Sequence, residues 1–287
     1  MRAHDATLQL ALAGDFAPRV TRADGATTAL ASWRSVTLQP GDAIAIGPCR
    51  SGIGYLALAG GCDVPLVLGS RSTYARAALG GIDGRAPRAG DRLNVSVVPG
   101  SERRAPRPSV HATGALRVLP GPQDDHFDPE QFARFTATDW RVSREADRMG
   151  LRLDGPALAH RPDKGADIVS EAVVPGAVQV PGAGMPIVLG VDAQTIGGYA
   201  KIATVIRADV PRLAHARPGT VLRFRAVTRA EALAARREAT AALADWVRRI
   251  EPLHASGEAI DAALRASNLI SGMIDAAPPA ADTLPWE

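Results

Sequence analysis

Residues 188–206 read VLGVDAQTIGGYAKIATVI, and how this stretch folds decides what kind of molecule the chain makes. Its two ends are apolar and strand-like. Its middle holds Asp192, Gln194, Thr195, Gly197, Gly198, Tyr199 and Lys201. Unpaired polar groups cost stability inside a core, so a strand that only fills space does not carry such a cluster. Either the segment turns through solvent, or the cluster meets a ligand or a partner. In an extended reading Asp192 and Gln194 share one side and Thr195 points the other way. The adjacent glycines let the backbone approach something closely, or make a bulge.

Outward from this stretch, short strands bounded by turn residues dominate the chain as far as residue 228. Thr7 to Leu12 alternates, Ser35 to Leu38 and Ala43 to Ile46 flank a Pro40-Gly41-Asp42 turn, and Gly54 to Ala59 and Val95 to Val98 follow. That pattern belongs to a β-sandwich or barrel. One unit, a Gly turn followed by an alternating strand, starts at Pro40, Ala89 and Pro218. Glycine supplies the positive φ of such a turn, and the following Asp or Thr bonds its own backbone. The recurrence suggests two related β-lobes.

Between them, PGSERRAPRPS (residues 99–109) combines proline, glycine and charge as a linker does. The expected domains are therefore a first β-lobe over residues 1–100, a second over 101–228 and a helical C-terminal extension over 229–287. Val110 to Val118 resumes strand character. Asp128 is placed to cap a short helix that begins at Pro129. A second short helix is expected from Thr73 to Leu79. In the extension, Arg229 to Ile250 and Ala259 to Ile274 read as amphipathic helices.

Composition narrows the function classes. Apolar residues make up 46% of the chain, enough for a packed core, yet no apolar run has the length of a membrane span. The basic residues are spread without interleaved aromatics, which argues against nucleic-acid binding. A cytoplasmic location is the expectation, and Cys49 and Cys62 read as buried free thiols rather than a disulfide or metal site. Phosphate-loop, dinucleotide and nucleophile-elbow motifs are absent. Lys164 and Lys201 are the only lysines, which singles out Lys201 inside the opening stretch.

Other candidates lie in the second lobe. Gln123 follows a strand in GPQDDHF (residues 121–127), as part of either a solvated turn or a polar pocket. Asp124, Asp125 and His126 are adjacent, and adjacent residues rarely converge on one ion, so no metal site is expected. Arg148 either forms an exposed ion pair or offers bidentate recognition of a carboxylate or phosphate. Gln179 lies between Val178 and Val180. If it faces inward it needs a partner, and a ligand amide would serve.

The stretches GSRSTYARAALGG, LPGPQDDHF, DRMGLRLDGP and SEAVVPGAVQVPGAGMPIVLGVDAQTIGGYAKIATVI occur in order and together resemble the biotin-dependent carboxyltransferase (allophanate hydrolase subunit 2) family. That family includes KipA and the C subunits of 5-oxoprolinases. The resemblance runs from about residue 5 to residue 228. It implies a mainly-β fold of two cyclophilin-like β-barrel lobes, here with the first N-terminally truncated, since the family's opening Gln-Asp-x-Gly-Arg-x-Gly motif is missing. It also implies two partners, a KipI-like B subunit together with an A subunit, and a small-molecule amide as substrate. ATP would be used by the complex, and biotin would enter only for carboxyl transfer to urea or a similar amide. A KipA-like regulatory role is a third possibility. On this reading Asp192, Gln194 and Lys201 are catalytic, and Gln179, Thr195, Gly197, Gly198, Tyr199, Arg148 and Gln123 bind substrate. The family's Asp-Arg-Gln-Thr-Thr-Gly-Gly-Tyr becomes DAQTIGGY (residues 192–199) here, losing a cation and a hydroxyl. Met185 stands where the family often has Gln.

Overall fold

The computed structural model describes residues 1–96, 100–108 and 114–253. Seven strands form the first lobe: β1 (Leu8–Ala13), β2 (Arg19–Thr21), β3 (Thr27–Ala29), β4 (Arg34–Leu38), β5 (Ala43–Ala45), β6 (Tyr55–Leu58) and β7 (Arg103–Arg104). One sheet runs β7-β4-β1-β6 and a second runs β3-β2-β5. β1 shows why these residues make a strand. Leu8, Leu10 and Leu12 point into a core shared with Val20, Val36, Leu38 and Ile44, while the intervening residues face outward. From Gly60 to Asn94 regular structure is sparse. The helix expected over Thr73–Leu79 is a single 3₁₀ turn at Ala75–Ala77.

The second lobe has β8 (Leu116–Pro120), β9 (Trp140–Val142), β10 (Gly150–Asp154), β11 (Asp167–Ala172), β12 (Ala177–Gln179), β13 (Ile187–Leu189), β14 (Ile196–Tyr199), β15 (Lys201–Val205), β16 (Val221–Leu222) and β17 (Phe224–Ala226). Eight of them form one sheet in the order β16-β9-β10-β13-β12-β15-β8-β17. Only Arg223 separates β16 from β17 in the chain, yet they lie at opposite edges, so the sheet curls into a nearly closed barrel. Its interior holds Val118, Phe135, Trp140, Leu153, Val178, Val188 and Ile202, all buried. β11 and β14 stand apart as a two-stranded arm.

Three helices complete the described chain: α1 (Pro129–Ala137), α2 (Val210–Leu213) and α3 (Arg229–Arg248). Asp128 occupies the N-cap of α1 ahead of Pro129, but its side chain makes no capping bond. α3 starts with a capping box, in which Thr228 Oγ1 accepts from Glu231 N at 3.2 Å and the Glu231 carboxylate accepts from Thr228 N at 2.7 Å. Trp246 near its end donates to Pro106 O at 2.8 Å and packs edge-on against Trp33. Leu233, Leu243 and Val247, expected on a packed face, are exposed. The helix expected over Ala259–Ile274 lies outside the described residues.

The recurring turn is one structure made three times. Gly41, Gly90 and Gly219 have φ of 91°, 91° and 88°. Each following side chain accepts from the backbone three residues back: Asp42 from Gln39 N, Asp91 from Arg88 N, and Thr220 from Arg217 N. The first and second lobes meet where His215 Nδ1 donates to Ser51 O at 2.7 Å and Arg217 bonds Arg50 O. One expectation needs correction: Cys49 and Cys62, read as buried thiols, are half-buried. Of the strand character expected over Val110–Val118, residues 110–113 lie outside the described residues, and β8 begins at Leu116.

Candidate functional site

The opening stretch runs through three strands of two sheets, with a turn between the first and the second. Val188 and Leu189 end β13, the chain turns at 191–193, β14 joins the two-stranded arm, and β15 enters the barrel. Asp192 and Gln194 therefore do not share one side of a strand. The reason is that Val191 and Ile196, apolar enough to suggest a buried strand, are 66% and 61% exposed.

Around the start of β15 the fold gathers five residues. Gln179 on β12 and Lys201 on β15 are register partners at a β-bulge, and both are buried, at 2% and 3% exposure. Lys201 Nζ lies 2.8 Å from Glu171 Oε1 on β11. The contact is an ion pair that takes up one of the ammonium's three donors, and among the described residues no hydrogen-bond partner takes up the others. Gln179 Nε2 is buried with no acceptor among the described residues. Glu171 Oε1 also accepts from Gln123 Nε2 at 2.7 Å, and Gln123 Oε1 accepts from Lys201 N at 3.3 Å. The nearby Lys201 ammonium, then the Gln123 amide, hold the Glu171 carboxyl below its ordinary range.

Gly197 closes the ring of contacts. It pairs with Glu171 across the arm, and a Cβ there would stand 2.4 Å from Gln179 Nε2. Glycine lets β14 lie against that amide without displacing it. Two buried side chains with open donors and one carboxylate make a site for an oxygen acceptor, since buried donors are normally paired.

The remaining sequence candidates are not drawn into this ring. Arg148 Nε and Asp192 Oδ2 form an ion pair at 2.7 Å, with side chains 78% and 36% exposed. Gln194, Thr195 and Tyr199 are exposed, and Gly198 is half-buried beside Ser170. Glu171, which contacts both Lys201 and Gln123, was not singled out from the sequence. The only signal for it was its place in the same SEAVVPGAVQV stretch (residues 170–180) as Gln179. Among the described residues no group of His, Cys, Asp and Glu is arranged to hold a metal ion. His160 Nε2 bonds Val180 O at 2.9 Å, one residue beyond Gln179. Burial pushes the His160 imidazole below its ordinary pKa despite that bond.

Two clefts sit on the first lobe and its border with the second. One, of about 280 Å³, is lined by Asp15, Phe16, Ser32, Trp33 and Arg107. The other reaches Ser51 and His215. Neither includes a residue of the Gln179–Lys201 ring. The ring is the stronger candidate because its two donors, on Gln179 and Lys201, are buried.

Residues 1–226 match a family described as carboxyltransferase domain, subdomain A and B. The chain is 40% identical over 192 residues to the 5-oxoprolinase C subunit of Escherichia coli, an alignment that takes in 64% of this chain and 59% of that one. It is 37% identical over 224 residues to the 5-oxoprolinase C subunit of Haemophilus influenzae, covering 77% of this chain and 70% of that one. Among solved structures, the K. lactis urea amidolyase superposes with a TM-score of 0.70 at 25% identity, covering 88% of this chain and 16% of that chain. The match thus spans less than two thirds of the Escherichia coli protein and a small part of the amidolyase. No helix among the described residues is long and apolar enough to cross a membrane.

Proposed function

This chain belongs to the carboxyltransferase domain family, subdomains A and B, and we propose that it acts as the C subunit of an ATP-dependent 5-oxoprolinase-type amidohydrolase. It would work with a KipI-like B subunit, plus an A subunit, to open the cyclic amide of 5-oxoproline and give glutamate. Two relatives named as 5-oxoprolinase C subunits, at 40% and 37% identity, support the reading. The observation that carries it to this chain is the pair of buried donors, Gln179 Nε2 with no acceptor among the described residues and Lys201 Nζ met by the half-exposed Glu171 carboxylate. They suit a ligand that brings oxygen acceptors and an anionic group, as a lactam carboxylic acid does.

Opening an amide builds negative charge on the carbonyl oxygen. A fixed ammonium stabilises that charge far more strongly when water is excluded. Lys201 is in that position, and Gln179 would donate to the same carbonyl. Gln123 holds Glu171 and the backbone of Lys201, so it sets the ammonium's place. Asp192, Gln194 and Thr195 would meet the ligand from the turn that leads into β14, with Asp192 oriented by Arg148. Tyr199 and Gly198 would line the same edge. ATP belongs to the complex in this reading. The ring offers one cation already facing a carboxylate, which does not fit a triphosphate, and no step here runs through the nucleotide.

A second reading has its own support. The superposition on the urea amidolyase covers 88% of this chain. A biotin-linked carboxyl transfer to urea or a similar amide would use the same ring. The ureido oxygen of biotin is an acceptor that Gln179 and Lys201 fit, and biotin would supply the carried carboxyl group.

Co-expression with the neighbouring genes separates the two. ATP-dependent release of glutamate from 5-oxoproline, lost when this chain is omitted, is the expected result. A stable complex that releases no glutamate transfers the proposal to carboxyl transfer.

A further inference from the structure

The ring around Lys201 has a feature that catalysis does not explain. A buried ammonium needs a compensating charge. Here that charge comes from Glu171, whose own side chain is 45% exposed. The carboxylate enters from the solvent side, and it fills the position a ligand's anionic oxygen would take. It meets Lys201 Nζ at 2.8 Å, but Gln179 Nε2 stays unpaired among the described residues. Glu171 thus satisfies one of the two buried donors and leaves the other open.

The strand that carries Glu171 is suited to giving way. β11 belongs to the two-stranded arm with β14, outside the eight-stranded barrel sheet. Its pairing shifts register between Asp167 and Glu171. All its residues but Ile168 are exposed. By contrast, Gln179 and Lys201 sit on barrel strands that pair on both sides. The donors are fixed, and the acceptor is on the weaker element. The low pKa of Glu171 keeps it ionised at neutral pH, so it competes as an anion.

We propose that Lys201 and Gln179 form a carboxylate-binding subsite that the chain's own Glu171 fills in the unliganded protein, and that a small carboxylic acid binds by displacing Glu171. The exchange makes and breaks no covalent bond. One carboxylate leaves the ammonium as another arrives, and Gln123 Nε2 retains Glu171 or is released with it. The inference rests on the same ring as the proposed function, with the incoming carboxylate taking the place which that reading gives to the charged carbonyl oxygen, and not on 5-oxoproline being the substrate.

Glu171→Ala in the 287-residue chain tests it, with formate and acetate as probes and chloride and acetamide as controls for ionic strength and shape. Binding is read by calorimetry and by the shift in Tm. Formate and acetate are expected to bind the variant at least tenfold more tightly than the unaltered chain, and to restore a Tm lowered by the substitution. Chloride and acetamide are expected to do neither, and Glu171→Ala combined with Lys201→Met is expected to lose the response. Glu171→Gln, which keeps the shape and removes the charge, decides the matter if the alanine variant does not fold. Equal affinity in variant and parent, or the same gain from chloride, overturns the proposal. These measurements need neither ATP nor a partner. A chain that exchanges anions but supports no glutamate release leaves the subsite standing and removes the 5-oxoprolinase reading, and the reverse result does the opposite.

Discussion

Lys201 Nζ lies 2.8 Å from Glu171 Oε1, but the lysine side chain is 3% exposed and the glutamate side chain 45%. The charge that water cannot reach is neutralised by one that water can. Removing the two partners should therefore have unequal effects. Glu171→Ala strands a buried ammonium and should lower Tm, whereas Lys201→Met fills the same space with apolar atoms and should lower it less. The double variant should be more stable than Glu171→Ala alone. A double variant that is less stable than either single one would show that the pair is not coupled in this way.

A side chain at Gly197 should displace the Gln179 amide. A Cβ at this position would stand 2.4 Å from Gln179 Nε2 and 3.1 Å from Val173 Cγ1. Gly197→Ala should cost about 1–3 kcal/mol in urea unfolding. It should also weaken ligand binding by moving the Gln179 amide. An alanine variant with parental affinity would place the ligand elsewhere.

How far the sequence carries depends on whether a feature is local. The three glycine turns were legible because each closes within four residues: Gly41 with Asp42, Gly90 with Asp91, and Gly219 with Thr220. Gln179 and Lys201 were legible as polar residues in apolar strands. The mainly-β fold followed from the same alternation. Glu171 was not legible, because β11 is exposed along most of its length and its partner lies 30 residues further on. The sequence left open whether Asp192 lies in a strand or a turn, because Val191 and Ile196 are apolar but face solvent, and a single sequence does not distinguish an exposed valine from a buried one.

Asp209 anchors the barrel to α2 and should be the costliest carboxylate to remove. It is 1% exposed and accepts from Arg117 N, Nε and a terminal nitrogen at 2.8, 3.0 and 2.7 Å. Burial opposes its ionisation, but the Arg117 side-chain and backbone bonds outweigh it and hold the pKa below the usual carboxylate range. Asp209→Ala should destabilise the fold by about 3–5 kcal/mol, as breaking a buried pair does. Loss of less than about 1 kcal/mol in equilibrium denaturation would contradict that assignment.

His160 should make stability depend on pH near neutrality. Burial lowers its pKa in the folded chain below the ordinary 6.5. In the window between the folded and unfolded values, the unfolded chain binds the proton that the native chain refuses. Stability from this group is thus present above about pH 6.5 and falls as pH drops toward the folded pKa. His160→Gln should flatten the fall in Tm between about pH 7 and 5.5. An unchanged slope would assign it to other groups.

Surface placement gives the turn residues a different signature. Arg148 and Asp192 are exposed enough that Asp192→Ala should change stability by less than about 1 kcal/mol. If Asp192 meets the ligand from the turn, turnover of the assembled complex should still fall more than about tenfold. Turnover within a fewfold of the parent would confine the chemistry to the buried ring.

The central claim is that this chain supplies the Gln179–Lys201 ring to an ATP-dependent 5-oxoprolinase. It is tested most directly by glutamate release from 5-oxoproline in the complex reconstituted with Lys201→Met. The account predicts an assembled, folded complex whose rate falls by about a hundredfold or more. Glutamate release at the parental rate from that complex would contradict it.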